Sequence, residues 1–280
     1  MLGRDRIQYK TPDQVRLMRR AGVVVADALA AVRTELREGV TTKELDAVAE
    51  DVIRSAGAIP SFIGVGDPPY PATLCVSVND EVVHGIPGSK VLRAGDVVSV
   101  DCGAILGGWH GDAAFTAVLP GPDGGLDEAD LALARVTEEA LWRGVAAAAS
   151  GATGGRLNAI GIAVEDHVAG RYGLVEDYGG HGIGTEMHQD PQILNYRTRD
   201  RGPRLRPGMC LAIEPMLTAG EPHVHTRADH WTVATDDGSH AAHVEHSIAV
   251  LEGGLWVLTA HDGGVEALGA LGVPVTPLAD

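Results

Sequence analysis

Positive charge is in short supply in this chain. It carries 22 lysine and arginine residues against 38 aspartate and glutamate, a formal net charge of −16. A field of that sign repels phosphate backbones and argues against nucleic acid as the main ligand, while leaving divalent cations admissible. Lysine is scarcer still, with Lys10, Lys43 and Lys90 against 19 arginines, a compositional bias that carries no function. The basic group near the N-terminus (Arg4, Arg6, Lys10, Arg16, Arg19, Arg20) reads as a solvated face. Cysteine is sparse as well. Cys75, Cys102 and Cys210 are odd in number and widely spaced, so neither a disulfide framework nor a zinc finger follows, and a reducing cytosol is the simplest setting. No run reaches ~18 uninterrupted apolar residues; residues 21–32 come nearest and are broken by Asp27. The opening segment has no apolar leader core, so a cytoplasmic protein, neither exported nor membrane-anchored, is expected. What is present is ordinary for a globular fold: 280 residues, 45% hydrophobic and 21% charged.

Two helices are announced by their starts. Thr11-Pro12-Asp13-Gln14 and Thr41-Thr42-Lys43-Glu44 both have capping-box form, and apolar positions recur at helical spacing after each. Short β-branched runs such as Val97-Val98-Ser99-Val100 read as strands. The chain also echoes itself. Gly39 is followed by Leu45, Ala47 and Val52, and Gly151 by Leu157, Ala159 and Val164, at equal offsets. Gly95 precedes Asp101 and Gly208 precedes Glu214 by the same step, at the end of an apolar run in each case. One domain over 1–280 is expected, with related α+β halves at roughly 11–125 and 126–250 that each deliver a carboxylate to a site between them.

The candidates for that site are Asp101, Asp112, His181, Glu214 and Glu245. Asp101 and Asp112 flank a Gly107-Gly108 turn, so a hairpin places both on one face. His181 sits in a glycine-rich stretch that permits close backbone approach. Converging carboxylates repel one another and are costly to desolvate. Divalent cations resolve this, with a neutral imidazole as a further ligand, which is the logic of two-metal hydrolases. Oxygen-rich ligation with one histidine suits Mn, Fe or Co better than structural zinc.

The strings SVNDEVVHGIPG (77–88), VDCG and HGDAAFT (100–116), GGHGIGTEMHQDP (179–191), GMCLAIEPM (208–216) and VEHSIAV (244–250) resemble those of type I methionine aminopeptidases, over about residues 11–252. The resemblance implies an α+β pita-bread fold of two pseudo-symmetric halves, with an antiparallel sheet flanked by helices and a metal site between the halves. It implies two divalent ions (Co, Mn, Fe or Zn) held by Asp101, Asp112, His181, Glu214 and Glu245, with Asp112 and Glu245 bridging. Glu214 would also move a proton, His84 would contact the substrate backbone, and His188 would polarise the scissile carbonyl. Tyr70, Cys75, Met187 and Trp231 would line a methionine pocket. The implied substrate is the N-terminal methionine of nascent chains with a small second residue. A monomer is expected, and ribosome contact is left open. Proline-specific relatives share the five-residue order but normally carry a further N-terminal domain. A silent binding protein on this fold would lack some of the five.

Three features depart from that family's pattern. Met187 stands where an aromatic residue is common, residues 64–69 replace an aromatic-containing stretch, and Asn79-Asp80-Glu81 carries an additional acid. All bear on pocket shape. The stretch from Glu221 to His225 reads as a solvated loop and His110 as either a neighbour of the site or a core residue. Cys102, adjoining Asp101, points to the opposite strand face and reads as core. The glycines at 179–184 lack the context of a nucleotide loop.

Overall fold

A computed structural model describes residues 7–150 and 154–278. Arg4, Arg6 and Gly151, invoked above, lie outside the described residues. Helices α1 (Pro12–Glu35) and α2 (Thr42–Ser55) start where the capping boxes put them. The hydroxyls of Thr11 and Thr41 accept from the backbone N–H of Gln14 and Glu44, and those side chains reach back to the cap N–H groups. Next come β1 (Ile59–Pro60), β2 (Leu74–Val78), β3 (Glu81–Val83), β4 (Val97–Leu106) and β5 (Trp109–Val118). Helices α3 (Glu128–Ala148) and α4 (Asn158–Val168) follow. The remaining strands are β6 (Gly173–Leu174), β7 (Gly180–Gly182), β8 (Gln189–Ile193), β9 (Cys210–Ile213) and β10 (Met216–Thr218). Last are β11 (Val224–Thr226), β12 (Val233–Thr235), β13 (Ala241–His243), β14 (Glu245–Leu251), β15 (Gly254–Val257) and α5 (Val265–Ala270).

The main sheet is antiparallel throughout and runs β1-β4-β5-β14-β9-β7-β8, with β2 also on β4 and β15 on β14. The pleat sorts its side chains. Val98, Val100, Cys102 and Ala104 of β4 and Ala113 and Phe115 of β5 join a core with Val25, Ala28 and Val32 of α1. Ile248 and Val250 of β14 join a second core with Leu141 and Val145 of α3. Residues of opposite parity, Asp101, Asp112 and Glu245 among them, therefore emerge on the face away from the helices. The sheet's strand order fixes what meets there.

Two surface readings need correction. Lys10 and Arg19 do not belong to a solvated face. Lys10 is buried, its backbone N–H donating to the Gly208 carbonyl at 2.7 Å and its ammonium reaching Gln189 Oε1 at 3.3 Å. The Arg19 guanidinium donates to the carbonyls of Leu258 (2.6 Å), Ala260 (2.7 Å) and His261 (2.9 Å), tying α1 to the segment after β15. The histidine-bearing loop also contains a strand: β11 pairs with β12, and the exposed His225 is matched by Asp236 at 2.7 Å.

Candidate active site

Five neighbouring strands of one sheet supply the candidate metal ligands. Asp101 comes from β4, Asp112 from β5, Glu245 from β14, Glu214 from the residue after β9, and His181 from β7. In the β4–β5 hairpin Asp101 faces Ala114 and Asp112 faces Gly103, and Ala114 also faces Glu245 of β14. The predicted hairpin thus forms, with both aspartates on one side of it. Asp112, His181 and Glu245 are buried. His181 Nε2 lies 3.5 Å from Glu214 Oε1 and 3.9 Å from Asp112 Oδ2. Its Nδ1 donates to the Gly182 carbonyl at 3.1 Å, which leaves the Nε2 lone pair facing the carboxylates. That is the tautomer a metal requires.

The electrostatics of this cluster are those of a cation site. Burial, then repulsion from Asp101 and Glu214, drives the Asp112 carboxyl well above its usual range. Burial, then Asp112, Glu214 and Asp101, does the same to Glu245. Burial lifts Asp101 to about 7, with His243 opposing, and lifts Glu214 to about 8. Burial holds His181 down at about 4, with His188 adding to the effect. Asp101 Oδ1, Asp112 Oδ1 and Glu245 Oε1 are buried without a hydrogen-bond partner. Buried polar atoms are normally satisfied, and three orphaned carboxylate oxygens in one acidic cluster are the acceptor set a divalent cation would complete. Ligand atoms of Asp112, His181 and Glu245 approach closely enough to share one ion.

A narrow cavity of about 80 Å³ opens beside this cluster. Tyr70, Cys75 and Trp231 line it, with His84 and His188. The Tyr70 and Trp231 rings meet edge-on with centroids 5.1 Å apart, and the Tyr70 hydroxyl is engaged by the Leu74 and Gly85 carbonyls at 2.9 and 3.0 Å. Tyr70 therefore presents ring rather than hydroxyl to the cavity. His84 has φ of 60°, a left-handed conformation uncommon outside glycine. Its ring rests edge-on against Tyr178 (5.7 Å) and Trp231 (6.1 Å). The His188 ring stands 4.5 Å from that of His181, also edge-on.

Met187 is the misplaced pocket residue. It is absent from the cavity wall and packs in a core with Met18, Trp109, Ile183 and Phe62, with its terminal methyl against Gly103. Met187 is buried and His188 exposed, in the bend that leads into β8. His110 is buried, with Nδ1 3.1 Å from Ser61 Oγ. Cys102 is fully buried among core residues, on the face opposite Asp101.

The sequence reading ties residues 64–69, and so Val65, to pocket shape, but not Phe62. Phe62 and Val65 complete the apolar side of the cavity, from a loop with no periodic pattern to announce them. Gly66 lies so close to the Trp231 ring that a Cβ there would stand 2.5 Å from it, and Trp231 Nε1 donates to the Pro68 carbonyl at 3.0 Å. Residues 62–70 and Trp231 thus build one wall together. His243 also passed unnoticed, though the alternation His243-Val244-Glu245 puts two polar side chains on the same face.

The antiparallel sheet therefore carries a buried acidic cluster, a metal-ready imidazole and a narrow cavity side by side. The chain belongs to metallopeptidase family M24, whose model matches residues 16–252. Along most of its length it is similar to methionine aminopeptidases. It is 47% identical over 251 residues to methionine aminopeptidase 1 of Bacillus subtilis, covering 89% of this chain and 98% of that one. It is 46% identical over 265 residues to methionine aminopeptidase 1 of Mycobacterium tuberculosis, covering 92% and 96%. The crystal structure of methionine aminopeptidase from Thermotoga maritima superposes with a TM-score of 0.84 at 40% identity, over 91% of this chain and all (100%) of that one. Prolidase from Pyrococcus furiosus shares the fold, with a TM-score of 0.69 at 22% identity, and this chain covers 65% of it. The resemblance to type I methionine aminopeptidases drawn from the motifs therefore holds, and the chain is a metal-dependent aminopeptidase.

Proposed function

We propose that this chain removes the initiator methionine from nascent polypeptides with a small second residue, using two divalent ions held by Asp101, Asp112, His181, Glu214 and Glu245. The observation that carries the reading is the set of orphaned, buried carboxylate oxygens lining a cavity of single-side-chain size. Divalent ions there would neutralise the acids and supply Lewis acidity and an activated water near neutral pH.

The protein's own groups do the rest. Tyr70, Cys75, Phe62 and Trp231 wall an apolar slot that accepts an unbranched thioether, with the polarisable Cys75 sulfur in contact range. Glu214, which lines the cavity, takes a proton from the attacking water and returns it to the leaving amine. His188 donates to the scissile carbonyl oxygen as charge builds on it. His84, held neutral by burial and by the nearby His243 and His188, hydrogen-bonds the substrate backbone. The division into halves at roughly 11–125 and 126–250 is supported by the order helix, helix, strands in each. No described helix is long and apolar enough to cross a membrane. With the acidic charge, that agrees with action in the cytoplasm on a peptide rather than a nucleic acid. We read it as a monomer with at most a transient ribosome contact.

Substrate choice tests the reading. Met-Ala-Ser should be cleaved best, with Nle-Ala-Ser next, since a small mismatch in an apolar wall costs about 1–3 kcal/mol. Leu-Ala-Ser, branched at Cγ, and Met-Leu-Ser should be poor. If Leu-Ala-Ser matches Met-Ala-Ser in kcat/KM, the enzyme is a broad aminopeptidase. If Ala-Pro peptides are preferred, it is a proline-specific one.

A further inference from the structure

His243 ends β13 two residues before Glu245, on the same strand face. It is 2% exposed, and its Nε2 is buried with no hydrogen-bond partner. The backbone holds it rigidly. Its N–H donates to Thr116 Oγ1 (3.0 Å) and Ser99 Oγ (3.2 Å), and its carbonyl accepts from Thr116 Oγ1 at 2.7 Å. The ring is thus aimed into the acidic cluster by its own main chain.

The separation of Nε2 from its nearest acid is informative. His243 Nε2 lies 3.6 Å from Glu214 Oε2. Good N–H···O bonds fall at about 2.7–3.2 Å, so this is not one. Donors that each sit about 2.1 Å from a shared metal stand roughly 3.0–3.5 Å apart, which is close to what is seen. His181, on the other side, stands 3.5 Å from Glu214 Oε1. The two imidazoles thus approach opposite oxygens of one carboxylate with the same spacing. Ligand atoms of Glu214, His243 and Glu245 also lie close enough together to hold one ion.

We propose that His243 is itself a metal ligand, giving the centre two imidazoles rather than one. This rests on the metal-dependent reading above and extends it. A second imidazole raises the nitrogen share of an oxygen-rich set, shifting its preference toward cobalt, iron or zinc over manganese.

The test is cobalt(II) added to the metal-free, full-length protein, with ligands counted by X-ray absorption spectroscopy and affinity measured by calorimetry. The expected result at two equivalents is imidazole scattering from two histidines per bound pair in the natural protein. In His243→Gln it should fall to one, with affinity for one equivalent weakened at least ~10-fold. The wild-type count needs no variant, so a His243→Gln that failed to fold would not shield the proposal. A single imidazole in the natural protein with both equivalents bound would overturn the role of His243 and leave the metal-dependent reading standing. Failure to bind cobalt at all would overturn both.

Discussion

Glu214 and His188 carry the most exposed claims at the scale of single residues. Glu214 stands between two histidines, with His181 Nε2 3.5 Å from one oxygen and His243 Nε2 3.6 Å from the other, and burial lifts its carboxyl to about 8 in the metal-free protein. Glu214→Gln keeps the volume but removes the charge and the proton carrier. kcat should fall by at least ~10². Steady-state kinetics on protein with verified metal content would check this, and a variant retaining a third of its activity would contradict the role. His188 differs in kind. It is exposed and lines the cavity beside His181, so it can serve substrate without perturbing the acids. His188→Ala should lower kcat by about 10²–10³ with little change in KM, because the hydrogen bond strengthens only as the oxyanion forms. A change in KM alone would reduce it to a substrate holder.

Among elements, α1 is seated on the sheet through glycine. A Cβ on Gly22 would stand 2.3 Å from the Leu258 carbonyl oxygen, and one on Gly111 of β5 would stand 2.8 Å from the Gly22 nitrogen. Helix and strand therefore touch backbone to backbone behind Asp112. Ala in place of a mid-helix glycine ordinarily gains up to about 1 kcal/mol. Gly22→Ala should instead destabilise by about 1–3 kcal/mol, through overpacking. Thermal denaturation would read this as a fall in Tm, and an unchanged or raised Tm would mean that the helix can shift. The elements differ in how legible they were. α1 and α2 could be read because both capping box and apolar period are local signals. The Asp101–Asp112 hairpin could be read because a Gly-Gly turn and strand parity fix which face a side chain takes. Met187 and the loop bearing Phe62 and Val65 could not, since which side of an irregular segment faces the cavity is settled by tertiary packing. His243 was legible in principle from its parity with Glu245. It was hidden because only the fold shows that its Nε2 is left without a partner.

For the whole molecule, the buried acids make stability depend on both pH and metal. Asp101 and Glu214 have folded-state values of about 7 and about 8, against 3.8 and 4.5 when free. The folded chain thus holds more protons than the unfolded one, and stability falls as pH rises through these values. Buried histidines act oppositely. His84, His110, His181 and His246 are held near about 4, against 6.5 when free, so their contribution grows as pH rises and is complete above that free value. Between about pH 6.5 and 8.5 only the carboxylates still change. The Tm of the metal-free protein should therefore drop across that window, and added divalent metal should abolish the drop by supplying the charge the acids lack. A flat or rising Tm without metal would show that the acids are not confined together as described.

The same convergence joins five strands of one sheet, drawn from both ends of the chain, into a single centre. Its most direct test is methionine release from Met-Ala-Ser by protein stripped with a chelator, as cobalt(II) or manganese(II) is returned in measured equivalents. Turnover should be negligible after stripping and recover to saturation by two equivalents per chain, with free methionine as the product. Full turnover by protein shown by elemental analysis to hold no metal would contradict this.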